Sequence, residues 1–278
     1  MTHPVLARLR DRDPAVRRDA CALAAQDPAA VLLAPGLAAA LGDPVRAVWR
    51  AASEALLSIA AQDAAAALAA LREALHGGDE RTREVAALTG ARLAPRELRW
   101  LPSLAQALGS DDGYLRWGAA RQLVEMGRTD ASVLAIALEI VRGGKSPVAR
   151  RMAAFCVRDL GPDDPRAAAA LVEASRDEVP ALRRAALSCL AALLEPPRGV
   201  EERLREALER DADGACRRIA AAVLGRLAVE HPGFLSEPTR ALLARARDAD
   251  PDPDLRRAAA RALAPGGASP ETRPSGSV

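Results

Sequence analysis

Leu182-Arg183-Arg184-Ala185-Ala186 is one of eight related five-residue stretches spread along this chain of 278 residues. Toward the N-terminus the same register holds Ala149-Arg150-Arg151-Met152-Ala153, Leu115-Arg116-Trp117-Gly118-Ala119, Thr82-Arg83-Glu84-Val85-Ala86, Val48-Trp49-Arg50-Ala51-Ala52 and Val16-Arg17-Arg18-Asp19-Ala20. Toward the C-terminus it holds Cys216-Arg217-Arg218-Ile219-Ala220 and Leu255-Arg256-Arg257-Ala258-Ala259. The stretches begin at 16, 48, 82, 115, 149, 182, 216 and 255, so successive spacings are 32, 34, 33, 34, 33, 34 and 39. Periods of this size mark arrays in which each repeat is one supersecondary unit. The fifth residue is Ala in every stretch, and a constant small residue at one register is what close helix-helix contact requires.

The surroundings of each stretch follow one plan. An Asp-rich turn precedes it, often with Pro, as in Asp13-Pro14, Asp43-Pro44 and Asp250-Pro251. Asp caps helix N-termini well, and Pro suits the first helical position. In the sixth unit Leu182, Ala186, Cys189, Leu190 and Leu193 then recur at three- and four-residue steps, which predicts an amphipathic helix. A turn such as Glu195-Pro196-Pro197 ends it, and a shorter helix, here around Leu204 to Leu208, leads to the next turn. With no strand signal between, the expectation is an all-α fold: an α-solenoid of about eight stacked helix pairs winding as a right-handed superhelix. It is read as a single domain over residues 1–264, opened by a short capping helix from about Pro4 to Arg10. Residues 265–278, which lack periodicity and large apolar side chains, are expected to be a disordered tail.

Composition narrows the functional classes. Half of the residues are hydrophobic but only 2% are aromatic, so the core is mostly Ala, Leu and Val and offers few large side chains to line a deep pocket. Basic residues number 39 and acidic ones 37, without the basic excess of a dedicated nucleic-acid binder. Lys145 is the only lysine. No signal peptide or membrane-length apolar run is found, which predicts a cytoplasmic protein. Cys21, Cys156, Cys189 and Cys216 form no CxxC pair and no metal-ligand spacing with a His, and are expected to be buried free thiols.

The turn Asp, the Val/Leu-Arg pair and the following Ala together resemble the HEAT-repeat family, in particular its short bacterial variety related to the repeats of phycobilisome lyases. The resemblance covers about residues 4 to 264. It implies a non-enzymatic, armadillo-like helical scaffold or adaptor that binds another protein on its concave face, lined by the second helix of each pair. Alternatives implied by relatives with such repeats are binding to a nucleic-acid backbone through a stripe of Arg, or a bilin lyase-like, chromophore-handling subunit.

Two Arg ladders run along the repeats. In the first, Arg17, Arg83, Arg116, Arg217 and Arg256 each follow an Asp by four residues (Asp13, Asp79, Asp112, Asp213, Asp252), the favourable spacing for a pair on one helix face. This ladder is expected to be structural. The second ladder, one step further round, holds Arg18, Arg50, Arg151, Arg184, Arg218 and Arg257, interrupted by Glu84 and Trp117. Trp49 and Trp117 replace Arg at registers expected to be at least partly exposed, and Tyr114 lies beside them. Trp and Tyr next to Arg are typical of binding hot spots. The candidate partner-binding residues are therefore Trp49, Arg50, Tyr114, Arg116, Trp117, Arg151, Arg184 and Arg218. Trp100 is expected to pack inside the helix pairs.

No catalytic constellation is apparent. His3, His76 and His231 lie in termini or turns, without the spacing of a metal site. Gly143-Gly144-Lys145-Ser146 matches only the end of a phosphate loop. No catalytic, metal or cofactor residues are predicted.

Overall fold

The structure is a computed structural model that describes residues 3–264. The expected tail, 265–278, lies outside the described residues. Sixteen α-helices succeed one another in pairs: α1 (Pro4–Arg8) with α2 (Pro14–Gln26), α3 (Ala30–Ala39) with α4 (Arg46–Ala60), α5 (Ala64–Gly77) with α6 (Glu80–Leu93), and α7 (Leu101–Ala107) with α8 (Gly113–Gly127). They continue as α9 (Ser132–Gly143) with α10 (Pro147–Leu160), α11 (Pro165–Ala174) with α12 (Pro180–Cys189), α13 (Arg198–Arg210) with α14 (Gly214–Glu230), and α15 (Glu237–Ala249) with α16 (Pro253–Leu263). Among the described residues there is no strand. All eight of the repeated stretches fall on the even-numbered helices.

Contacts gather the chain into two compact units. One comprises the residues up to Ala137 together with Val148–Cys156, the other Leu138–Pro147 together with the residues from Val157 on. Inside each unit the packing is that of a solenoid. In the first, α2 packs on α4, α4 on α6 and α6 on α8, while α3 packs on α5 in a second row. In the second, α12 packs on α14 and α14 on α16, with α11, α13 and α15 forming the other row. These helices thus meet a partner within the repeat and equivalent helices one repeat away, the quasi-one-dimensional arrangement of an α-solenoid.

The invariant Ala explains how the even helices approach. Ala20, Ala52, Ala86, Ala119, Ala153, Ala186, Ala220 and Ala259 are all 0% exposed. Two glycines extend the same logic. At Gly225 a Cβ would sit 2.7 Å from the Cα of Ala262, so α14 meets α16 backbone to backbone. At Gly90 it would sit 2.6 Å from the indole of Trp100, which is fully buried, as expected, with its Nε1–H donating to the Ala94 carbonyl at 3.1 Å.

The turn Asp residues cap helices at a fixed offset. Asp13, Asp79, Asp112, Asp213 and Asp252 each lie three residues before a repeated stretch and accept hydrogen bonds from the first-turn N–H groups of α2, α6, α8, α14 and α16. Such a cap contributes about 1 kcal/mol. Of Asp13-Pro14, Asp43-Pro44 and Asp250-Pro251, only Asp13-Pro14 is a cap followed by the first helical residue. For α16 the cap is Asp252 with Pro253, and α4 starts after Val45 with no side-chain cap. The odd helices are also longer than expected in places: the helix read around Leu204 to Leu208 runs over 13 residues, from Arg198 to Arg210. Its inward face carries Val200, Leu204, Ala207 and Leu208, all buried.

Candidate functional site

The first Arg ladder is built into the fold. The Arg17 guanidinium lies in ion-pair contact with Asp43, in the turn of the next repeat, and donates to the Asp11 and Arg12 carbonyls at 2.9 and 3.1 Å. Arg183 repeats the arrangement with Asp211 at 2.8 Å and the Asp177 and Glu178 carbonyls at 3.0 and 3.1 Å. Arg83, Arg217 and Arg256 donate to carbonyls of their own turns. The Arg therefore ties a helix to the turn before it and, in two repeats, to the following repeat. The Asp four residues earlier caps the helix instead of pairing with the Arg side chain. Burial pushes the Asp211 carboxyl up, but the Arg183 bonds and charge, the Asp213 N–H and Cys216 together hold the group below its ordinary value. Arg116, predicted to face a partner, belongs to this set. It donates to the Ser110 and Asp111 carbonyls at 2.8 and 3.1 Å, and its Nε is buried without a hydrogen-bond partner.

The second ladder divides. In the second unit Arg218 bonds Asp252 at 2.7 Å, and Arg184 lies 3.6 Å from Asp213. Both carboxylates belong to the cap of the next repeat, so the charge is matched within the fold. In the first unit the corresponding positions in three successive repeats hold Arg50, Glu84 and Trp117, and none of them forms an ion pair among the described residues.

Around those positions α4, α6 and α8 enclose a groove of about 520 Å³. Its floor at one end is Trp49, whose ring centroid lies 5.7 Å from that of Tyr114 on α8. The expectation that Trp49 is exposed fails: it is 1% exposed, tucked beneath Tyr114. Its Nε1–H is buried and has no hydrogen-bond partner. The Arg50 guanidinium stacks on Tyr114, 4.7 Å from the ring centroid, a cation–π contact. Tyr114 remains 42% exposed and Trp117 53%. Trp117 stacks on Phe155 of α10 with centroids 5.5 Å apart, which holds the indole in place while leaving one side open. Gly118 lets α8 approach α6, since a Cβ there would touch Leu88 at 3.1 Å.

Four of the eight predicted residues, Trp49, Arg50, Tyr114 and Trp117, thus meet in one groove. Arg116 and Arg151 are not among its lining residues, and Arg184 and Arg218 belong to the other unit. Sequence reasoning missed Arg92 and Arg121, which also line the groove. Both lie on the helical spacing of the second ladder, Arg121 four residues after Trp117 and Arg92 eight after Glu84, so following the register for one or two further turns finds them.

The polar groups of the groove are unevenly matched. Arg92 donates to Glu54 at 3.0 Å. The Thr89 hydroxyl donates to the Val85 carbonyl at 2.8 Å, so the 2.7 Å contact between Ser53 and Thr89 has Ser53 as donor. Glu84 is only 5% exposed, and burial, with Glu80 adding, pushes its carboxyl up to about 7 against the pull of Arg81 and Arg83.

The four cysteines are buried, as expected, and Cys156 lies 3.8 Å from the Ala120 carbonyl. Burial pushes Cys189 up to about 12 and Cys21 and Cys216 up to about 11, so they are packing residues and poor nucleophiles. Among the described residues no helix is long and apolar enough to cross a membrane.

No protein-family model and no curated protein matches the sequence. Solved structures do. A crystal structure of importin beta in an ammonium sulfate condition superposes with a TM-score of 0.61 at 14% identity, over 93% of this chain and 39% of that one. The karyopherin Kap121p, bound to the extreme C-terminus of the protein phosphatase Cdc14p, superposes with a TM-score of 0.58 at 13% identity, over 93% of this chain and 33% of that one. The chain thus spans between a third and two fifths of the length of these structures. At such identity the likeness defines the fold: the molecule is a HEAT-repeat-like α-solenoid.

Proposed function

We propose that this protein is a non-enzymatic scaffold or adaptor that holds another protein, and that the partner docks in the groove on α4, α6 and α8. The observation that carries this is the pair of exposed aromatics, Trp117 and Tyr114, held rigid by Phe155 and Arg50 around a concavity. Rigid Trp and Tyr beside Arg supply large contact area at low entropic cost, which is why they dominate interface energetics. That Kap121p was crystallised with a chain terminus of another protein supports a solenoid of this fold as a receptor for protein segments, by analogy of fold alone. A nucleic-acid backbone is a poorer fit. It calls for a run of unmatched cations, whereas Arg17, Arg183, Arg184 and Arg218 all face carboxylates of the fold itself.

The test is affinity capture of tagged wild-type and Trp117→Ala protein from the native lysate, at low and high salt with nuclease, read by mass spectrometry. A protein captured by the wild type in stable proportion and lost by the variant is expected, with unchanged circular dichroism. Equal capture by both, or capture that vanishes with nuclease, contradicts the proposal.

A further inference from the structure

We infer that the groove recognises an acidic segment of its partner, with a carboxylate held between Arg50 and Arg121. This rests on the docking role proposed above and adds the chemistry of what docks.

The groove carries more cationic donors than carboxylates to match them. Three Arg line it, Arg50, Arg92 and Arg121, against one carboxylate, Glu54. Glu54 is bound by Arg92 at 3.0 Å. Among the described residues Arg50 and Arg121 have no carboxylate within ion-pair distance, and both are exposed. The remaining side-chain acceptors on the wall, Ser53, Tyr114 and Gln122, are neutral, and Ser53 spends its proton on Thr89. The Trp49 Nε1–H adds a buried donor with no partner, a state that is costly until an acceptor is supplied. A segment rich in acceptors and negative charge complements this surface, and a basic or purely apolar one does not.

The geometry of Arg50 sharpens the assignment. Its guanidinium carbon lies over the Tyr114 ring, 4.7 Å from the centroid. That contact restrains the side chain, and among the described residues its planar fork of donors makes no hydrogen bond or ion pair. A fork of this kind matches a carboxylate, which it binds through two parallel hydrogen bonds. Next to it, the open side of Trp117 and the Leu88 side chain form an apolar platform for a neighbouring apolar residue of the same segment. A volume of about 520 Å³ accommodates a few residues of an extended chain. The equivalent Arg of the second unit, Arg184 and Arg218, are held by Asp213 and Asp252. The unmatched positive charge on this register is thus concentrated where the exposed aromatics are.

The experiment is selection of a random twelve-residue phage-displayed peptide library on the intact protein, followed by affinity measurement of the enriched peptides by Trp fluorescence. Enriched peptides are expected to exceed the starting library in Asp and Glu. Their affinity is expected to fall roughly tenfold or more in Arg50→Glu and in Arg121→Glu, as for loss of a charge-assisted contact, and to be unchanged in Arg128→Glu, an exposed Arg outside the groove. Both Arg50 and Arg121 are exposed, so the variants retain the fold, checked by circular dichroism. Enrichment without an acidic bias, or acidic peptides indifferent to both charge reversals, overturns this inference and leaves the docking role standing. Failure to enrich any peptide overturns the docking role itself. A twelve-nucleotide oligothymidylate that binds more tightly than every enriched peptide, and is lost in Arg50→Glu, assigns the groove to polynucleotide instead.

Discussion

The same helix register behaves in two ways in the two units of this solenoid. In the second unit it carries Arg184 and Arg218, each facing the cap Asp of the next repeat. There the side chains serve repeat-to-repeat cohesion and present little unmatched charge. In the first unit three successive repeats place Arg50, Glu84 and Trp117 at that register. Arg50 stacks on a Tyr, the Glu is buried, and the Trp stands open to solvent. A repeat protein can thus keep one backbone plan throughout and expose aromatics and unmatched charge simply by breaking its internal charge pairing over a few repeats.

The largest effect expected along this comparison is at the pairs that both units keep buried. Arg183→Ala leaves the Asp211 carboxylate, whose side chain is 4% exposed, without its guanidinium. A loss of about 3 kcal/mol in urea unfolding is expected. A loss below about 0.5 kcal/mol removes the case for a structural first ladder, since that is the value of an exposed pair.

Glu84 comes next, and it separates the units by pH. Its folded pKa, about 7, lies above the ordinary value of 4.5. The neutral acid is the form the fold favours, so the stability it contributes is fully present below about pH 4.5 and is lost as pH rises through 7. Glu84→Gln is expected to match the wild type near pH 4 and to exceed it by about 1–3 kcal/mol at pH 8. Identical pH profiles for the two proteins would show that the carboxylate is solvated and the first unit less tightly closed over it than described.

Arg218→Ala sharpens the comparison from the other side. Its pair with Asp252 is part-exposed, 40% and 17% for the two side chains, so a double-mutant cycle is expected to return only about 0.2–1 kcal/mol. The smallest effect is spectroscopic. Of the three Trp, Trp49 and Trp100 are buried and Trp117 is not. Trp117→Phe is therefore expected to remove most of the acrylamide-accessible fluorescence, and Trp49→Phe very little.

The repeat was legible in the sequence because its physical cause is local. Close helix contact demands Ala at one register, helix starts demand a capping Asp, and both recur with the period. The groove was half legible. Trp49, Arg50, Tyr114 and Trp117 stood out because aromatics are scarce, but their exposures could not be read from register alone. Arg at the first ladder position turns back to its own turn's carbonyls, as Arg116 does, while Trp49 at the equivalent position is uncharged and largely apolar and packs under Tyr114. The spacing of Asp and Arg by four residues suggested a pair on one helix. The capping demand of the backbone N–H groups claimed the Asp instead, and the Arg turned to the turn carbonyls or, in Arg17 and Arg183, to the next repeat. Arg92 and Arg121 were overlooked because they lie one or two helical turns beyond the repeated stretch.

We propose that partners dock on the first unit's even helices. It is tested most directly by hydrogen-exchange mass spectrometry of the protein alone and with a partner captured by the wild type and lost by Trp117→Ala. Protection is expected in the peptides covering α4, α6 and α8 around Arg50, Arg92 and Trp117, with α12, α14 and α16 unchanged. Protection centred on Arg184 and Arg218, with the first unit unaffected, would contradict the account.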